Sequence, residues 1–325
     1  MSNIKIAGIG AYLPSLVVTN DKISEFVETN NEWIVERTGI KERRISEGED
    51  TSDIAIESSK IALERANVKP EDLDLIIVAT ISPDMFIPSV ACIVQSKLGA
   101  DKAACFDISV ACSGFLYGLE IAKSMMKSMN YKNALVIGAE VLSKVMDWND
   151  RVTCILFGDG GGAAVLKQED DGTRGIIKSY LRSDGTKGDA LTIGGADFNT
   201  PFSKEAKSKD RIIKMNGREV FKFATTAILD AVNEILKDTD ISLDEIKYIV
   251  PHQANYRIIK SAANKLGVAE EKFYLNLERF GNTSSGTIPI VLNEMYEKNL
   301  INKGDKFIFV AFGGGLTYAS TLVEW

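Results

Sequence analysis

One histidine, His252, stands in 325 residues. That scarcity excludes zinc sites built on recurring Cys and His at fixed spacing, and the four cysteines, Cys92, Cys105, Cys112 and Cys154, form no CxxC pair. No metal is expected, and no disulfide framework, because a large cytosolic chain keeps its thiols reduced. No apolar run approaches the roughly 20 residues that span a bilayer. The opening segment MSNIKIAGIGAYLP lacks the basic head, apolar stretch and cleavage site of a signal peptide. A cytoplasmic protein without membrane contact is therefore expected. Basic residues are the minority, 38 against 45 acidic, leaving a formal charge of −7. That balance argues against a dominant nucleic-acid or anionic-membrane surface. Seven prolines and 26 glycines are too few for a low-complexity chain, and no Ser/Gly/Pro-rich stretch separates the halves, so they should pack together.

What is present is an α/β rhythm. Short β-rich runs, LDLIIVAT (Leu73 to Thr80), ACFDI (Ala104 to Ile108), ALVIGA (Ala134 to Ala139) and GGAAVL (Gly161 to Leu166), alternate with helical patterns. The order returns as IKYIV (Ile246 to Val250), FYLNL (Phe273 to Leu277), FIFVAF (Phe307 to Phe312) and a last strand near Thr317 to Val323. The offset is roughly 170 residues, and an acidic turn, KPEDLD or SLDEIK, precedes the first strand of each set. A duplication is implied, with halves at 1–170 and 171–325. Strands this apolar need helices on both faces, and sites should lie beyond their C-terminal ends.

Three residues fall at such ends. Cys112, in SVACSGF, sits where a helix should begin, and there the helix dipole and free N–H groups favour a thiolate. The plainer reading is a packed cysteine, since free cysteine is among the most buried residue types. Cys105 and Cys154 lie in strand-like runs and Cys92 in a helical one, and all three read as packing. His252 follows IKYIV directly, with Pro251 closing the strand. Asn282, in GNTSSG, is either a turn or capping residue or the approximate internal equivalent of Cys112. A Cys, a His and an Asn meeting in one pocket suit either a papain-like hydrolase or a thioester-handling enzyme. His252 lies about 140 residues after Cys112, as in papain-like chains. Those chains, however, carry their Cys near the mature N-terminus in a different local context.

The chain resembles β-ketoacyl-acyl-carrier-protein synthase III, of the thiolase-like superfamily. The resemblance runs end to end. It rests on EWIVERTGI (Glu32 to Ile40), ACSGF (Ala111 to Phe115), DRVTCILFGDGGGAAVL from Asp150, SDGT from Ser183, MNGREVFK (Met215 to Lys222), VPHQAN (Val250 to Asn255), GNTSSGTIP (Gly281 to Pro289) and AFGGGLTY from Ala311. Elongating relatives pair the Cys with two histidines, and this chain has one. Thiolases use a second Cys in the last Gly-rich region, where this chain has none, and hydroxymethylglutaryl-type synthases add a Glu acid. Plant-type polyketide synthases share Cys-His-Asn in longer chains with different motifs.

The resemblance implies a five-layer αβαβα fold of two duplicated halves. It implies decarboxylative condensation of an acyl-CoA primer, acetyl or short and branched, with malonyl-acyl-carrier protein. Cys112 would carry the acyl group, and His252 and Asn282 would donate hydrogen bonds to the thioester oxygen after decarboxylation. Cys112 and Gly314 would form the oxyanion hole. Coenzyme A would lie against Trp33, Arg37 and Arg151, with Gly217, Phe221 and Asn255 along the pantetheine tunnel. Lys222, Arg257, Lys260 and Lys265 would dock the acidic carrier protein, unless they are simply a solvated face. Ile87 stands where a Phe often closes the acyl pocket from the partner subunit, so a homodimer is implied and longer or branched primers are admitted. No cofactor beyond the coenzyme A substrate is expected. The alternatives left open are an acyltransferase using other acceptors, a hydrolase acting through acyl-Cys112, and an inactive acyl-binding scaffold.

Overall fold

The computed structural model describes residues 3–169, 172 and 174–325. Its strands form two main sheets with matching order. In the first, β4 (Leu75–Ala79) pairs parallel with β5 (Ala104–Ile108) and β6 (Asn133–Glu140). β7 (Gly160–Glu169) then runs antiparallel to β6 and to β1 (Asn3–Tyr12). In the second, β11 (Ile246–Pro251) pairs parallel with β12 (Lys306–Gly313), and β13 (Thr317–Glu324) lies antiparallel between β12 and β8 (Gly175–Ser183). The orders β1-β7-β6-β4 and β8-β13-β12-β11 correspond position for position. The expected boundary at 170/171 lies outside the described residues.

One expected strand is absent. FYLNL contributes a single parallel bridge, Phe273 to Ile249, where the first sheet has β5. The backbone N–H groups of Asn276 and Leu277 turn to the Gln253 side chain instead of a ladder (3.0 and 3.2 Å), and α8 (Leu277–Phe280) follows at once.

Central strands such as β4 are buried at every residue, which is why they read as unbroken apolar runs. Helices α3 (Thr51–Ala66) and α4 (Val90–Leu98) cover the outer face of the first sheet. α6 (Gly217–Leu236) and α7 (Tyr256–Leu266) cover the outer face of the second. Between the sheets lie α5 (Gly114–Met129) and α9 (Thr287–Glu297), one from each half, packed into one core through Phe115, Leu119, Val291 and Met295. The result is the αβαβα sandwich. No helix among the described residues is long and apolar enough to cross a membrane.

A smaller cluster caps the site. It gathers the hairpin β2 (Leu16–Thr19) and β3 (Glu42–Ile45), helices α1 (Asn20–Ile23) and α2 (Asn31–Thr38), and Cys154, Ile155 and Phe157. Cys154 packs in a turn-rich segment and not in the expected strand. A two-stranded ribbon, β9 (Leu191–Thr192) with β10 (Lys214–Met215), lies nearby. Arg43 is fully buried and donates to the carbonyls of Val18 and Ile155 and to Asn20 Oδ1 (3.1, 2.8 and 3.0 Å). Burial lowers it to about 10. The segment it anchors, 155–158, holds Asn282 in place.

At Gly138 on β6 the two halves meet so closely that an added Cβ would overlap the carbonyl oxygen of Ser285. Gly138→Ala should therefore destabilise the fold by about 2 kcal/mol or more. Gly185→Ala, which meets nothing within 4 Å, should stay within about 0.5 kcal/mol. Urea denaturation of both variants checks the pair.

Candidate active site

β5 ends at Ile108, and the chain then makes a tight turn in which Ala111 adopts a left-handed φ of 45°. The 3-10 turn Ala111–Ser113 leads straight into α5, placing Cys112 at the helix entrance as expected. The second half repeats this geometry: Ser284 has φ 48°, and the 3-10 turn Ser284–Gly286 leads into α9. The left-handed residues fix the register, so the counterpart of Cys112 is Ser285. Asn282, the expected equivalent, lies three positions before it.

Cys112 is 6% exposed. Burial pushes its thiol up to about 12, and the Glu140 carboxylate adds to this, against a partial offset from the Ser284 hydroxyl. The expected lowering at the helix entrance is overturned: removing the sulfur from water disfavours the thiolate more than the helix favours it.

His252 leaves β11 with its N–H bonded to Val310 O (2.7 Å), its ring edge-on to Phe312 (5.2 Å) and 1% exposure. Burial lowers it to about 3, so the imidazole is neutral. Nδ1 lies 2.8 Å from Thr287 Oγ1. That hydroxyl also donates to Ser284 O (3.0 Å), a carbonyl that accepts the Thr287 N–H as well. The contact with Nδ1 orients the ring and leaves Nε2 to the chamber; the place of the ring proton follows from which way the Thr287 hydroxyl turns. Thr287 was not anticipated from sequence, although its place at the first residue of a helix facing His252 is what orients the ring.

Asn282 is stitched to the cap by its backbone, N–H to Leu156 O (2.9 Å) and O from Gly158 N–H (3.1 Å). Its Oδ1 accepts from Ser284 N (2.8 Å), so the Nδ2 group remains to serve the chamber. Cys112, His252 and Asn282 line one cavity of about 130 Å³ with Phe312 and Gly313, and Gly217, Phe221 and Asn255 line its outer part. The three expected site residues and the three expected tunnel residues thus share one passage. A larger cavity of about 580 Å³ opens on the other side of Cys112, walled by Thr80, Ile81, Met85, Phe86, Leu191 and Gly314. An added Cβ on Gly313 would stand 2.7 Å from Cys112 N. Only glycine permits that approach.

The model for 3-oxoacyl-(acyl-carrier-protein) synthase III matches residues 106–185, and that for its C-terminal region matches 236–325. A β-ketoacyl-(acyl-carrier-protein) synthase III of Clostridium beijerinckii is 74% identical over the whole of both chains. The crystal structure of the Aquifex aeolicus 3-oxoacyl-(acyl-carrier-protein) synthase III superposes with a TM-score of 0.93 at 42% identity, covering 99% of this chain and 100% of that one. The chain belongs to the synthase III family. A priming β-ketosynthase from the R1128 polyketide pathway is also similar, with a TM-score of 0.90 at 31% identity, covering 99% of this chain and 96% of that one.

The remaining residues expected for a synthase III lie outside these cavities. Trp33 is flanked by both arginines, Arg37 at 5.2 Å and Arg151 at 4.8 Å from its ring centre. Asn255 Nδ2 donates to Arg37 O (3.0 Å), tying this cluster to the tunnel mouth. Lys222, Arg257, Lys260 and Lys265 are all exposed. Lys260 is partly engaged, 3.8 Å from Glu270 and over the Tyr256 ring. Lys222 faces a separate groove with Asp184, Lys187 and Glu219. Ile87 lines neither cavity of its own chain and is 86% exposed, whereas Met85 and Phe86, which the sequence did not single out, reach the larger one.

Because His252 is the only histidine, its state is directly readable. ¹⁵N chemical shifts should report a neutral ring that does not titrate between about pH 5 and 8, and Thr287→Val should change the balance of its two tautomers. A ring titrating near 6.5 would contradict this. The stability linked to this depressed pKa is fully present above about 6.5 and is lost as pH falls towards 3.

Proposed function

We propose that the protein joins an acyl-CoA primer to malonyl-acyl-carrier protein by decarboxylative Claisen condensation, giving a 3-oxoacyl-carrier protein, coenzyme A and carbon dioxide, and so starts fatty-acid synthesis. The observation that carries this reading is the buried chamber in which one thiol, a neutral imidazole and a carboxamide meet at the end of a narrow passage. Cys112 attacks the primer thioester and keeps the acyl group, which occupies the larger cavity. The carrier-protein thioester enters along Gly217, Phe221 and Asn255. Loss of carbon dioxide leaves an enolate whose oxygen meets His252 Nε2–H and Asn282 Nδ2–H. A neutral imidazole in a water-poor site donates at fixed geometry without reorganisation. The enolate carbon then attacks the acyl-Cys112 carbonyl, whose oxyanion is received by the N–H groups of Cys112 and Gly314.

Trp33, Arg37 and Arg151 hold the coenzyme A nucleotide, which enters between groups already arranged for cation–π contact. Lys222, Arg257, Lys260 and Lys265 receive the acidic carrier protein. The chain works as a homodimer, which the unpaired outer edge of β5 and the outward Ile87 support, with Ile87 closing the acyl cavity of the partner subunit. No bound cofactor takes part. The corresponding strand orders support reading 1–170 and 171–325 as copies of one unit.

Incubation with labelled acetyl-CoA should place one acetyl group on Cys112, visible by mass spectrometry, and malonyl-carrier protein should then release acetoacetyl-carrier protein. Free acetate would point to a hydrolase. Asn282→Ala should spare acylation and slow decarboxylation by about 10²-fold or more; equal loss of both steps would refute this division of roles. Ile87→Phe should lower turnover of butyryl and isobutyryl primers relative to acetyl by about tenfold, and an unchanged preference would remove Ile87 from the pocket.

A further inference from the structure

The cap holds a buried cation that the chemistry above does not use. Arg43, on β3, is 0% exposed, and its guanidinium donates to three acceptors, Val18 O, Asn20 Oδ1 and Ile155 O (3.1, 3.0 and 2.8 Å). None of the three is a carboxylate, and among the described residues Nε finds no partner. Burial lowers the group only to about 10, so it stays charged at neutral pH. Holding a charge in such a place is costly, and a packed apolar side chain is often as stable. What the cation adds is direction. Hydrogen bonds from an ionised donor are roughly twice as strong as neutral ones, and the planar fork fixes their angles.

Those bonds lead to Asn282. The residue after Ile155 is Leu156, whose carbonyl accepts the Asn282 N–H (2.9 Å), and Gly158 N–H returns a bond to Asn282 O (3.1 Å), with Phe157 bridged to Asn282 between them. Asn282 comes from the second half, yet both of its backbone groups are held by this one segment of the first. Arg43 also backs the bridge sterically. An added Cβ on Gly158 would stand 3.1 Å from Arg43 Cβ, and one on Gly281, the residue before Asn282, 3.4 Å from it. On its far side the guanidinium is braced by buried Asn20, whose Nδ2 donates to Ile40 O (2.8 Å) and to Asn31 Oδ1 (3.1 Å). None of the three Arg43 bonds goes to the Cys112 turn or to His252.

We infer that Arg43 is a positioning residue for decarboxylation: by gripping Ile155 O it sets where the Asn282 carboxamide stands in the chamber. This rests on the condensing reaction proposed above. Arg43 touches no reacting atom and keeps its proton throughout; it acts through the 155–158 segment and Asn282 alone. A donor aimed at a developing enolate oxygen must be held to within about 0.5 Å, and a displacement of about 1 Å costs about 10²-fold in rate. Loosening Ile155 therefore slows loss of carbon dioxide while Cys112 still takes up its acyl group.

Arg43→Lys keeps the cation but replaces the fork with one ammonium on a shorter stem, and Arg43→Met removes all three bonds at similar length. Decarboxylation of malonyl-carrier protein should fall about tenfold in Arg43→Lys and about 10²-fold in Arg43→Met, while acylation of Cys112 at saturating acetyl-CoA stays within about twofold of the parent. Arg43→Lys serves alone if Arg43→Met does not fold. Because the effect passes through Asn282, adding Arg43→Lys to Asn282→Ala should slow decarboxylation no further. A merely structural role would lower both half-reactions together. Parental decarboxylation in Arg43→Lys, equal loss of acylation and decarboxylation, or a full additional loss on top of Asn282→Ala would overturn the inference. A parent that forms no Cys112 adduct would instead sink the condensing reaction itself.

Discussion

The close approach of two turns at the centre of the sandwich governs the rest of the molecule. The Ser284–Gly286 turn presses on β6 at Gly138, where a side chain has no room, and an added Cβ on Gly286 would meet the backbone of Gly160 and Gly161. That contact locks the two halves in register. It brings Asn282 and Thr287 from one half to the Cys112 turn of the other and leaves His252, at the end of β11, between them. Large apolar side chains of α5 and α9 fill the central core, but fine positioning comes from the small residues. A core defined by size alone tolerates repacking, whereas backbone against backbone does not.

The same closeness dries the chamber, and dryness sets the chemistry. One desolvation acts on three groups of different sign. It keeps the imidazole uncharged, holds the thiol protonated and raises the Glu140 carboxyl. For the role proposed for His252 this is useful as it stands, because a neutral donor would stabilise a developing enolate without trapping the ground-state carboxylate as an ion pair. For Cys112 it is a cost, since only the thiolate attacks.

Much of the fold was legible because parallel central strands, buried on both faces, read as apolar runs: β5 falls on Ala104–Ile108 as expected, and β4, β6 and β12 within a few residues. FYLNL misled because its composition is that of a strand, while Gln253, distant in sequence, captures the N–H groups that a ladder would use. The register of Cys112 against its counterpart was off by three because a left-handed φ at Ala111 or Ser284 leaves no mark in residue type; neither is glycine or asparagine. The lowered thiol pKa was inferred from local position at a helix entrance, and burial, a tertiary quantity, reversed it. Glu140 went unnoticed for a related reason. A lone acidic residue closing an apolar strand looks like the point where the strand reaches solvent, and only the folded chain shows it sealed beneath Thr80, Ser82 and Ser285.

Duplication then accounts for how one turn came to serve two purposes. Each half makes the same left-handed residue, the same 3-10 turn and the same helix entrance. In the first half the next position is Cys112, facing the cavity. In the second it is Ser285, turned inward to Ala79 O and Glu140. A thiol at Ser285 would hydrogen-bond weakly and leave Glu140 Oε1 poorly served, while a hydroxyl at Cys112 would be a poorer nucleophile at the same burial. The two positions are thus separated by what each side chain must do with a proton: one must lose it during the reaction, the other must share it between two acceptors. The symmetry of the fold supplies the geometry for both, and a single-atom difference, sulfur or oxygen, assigns the roles.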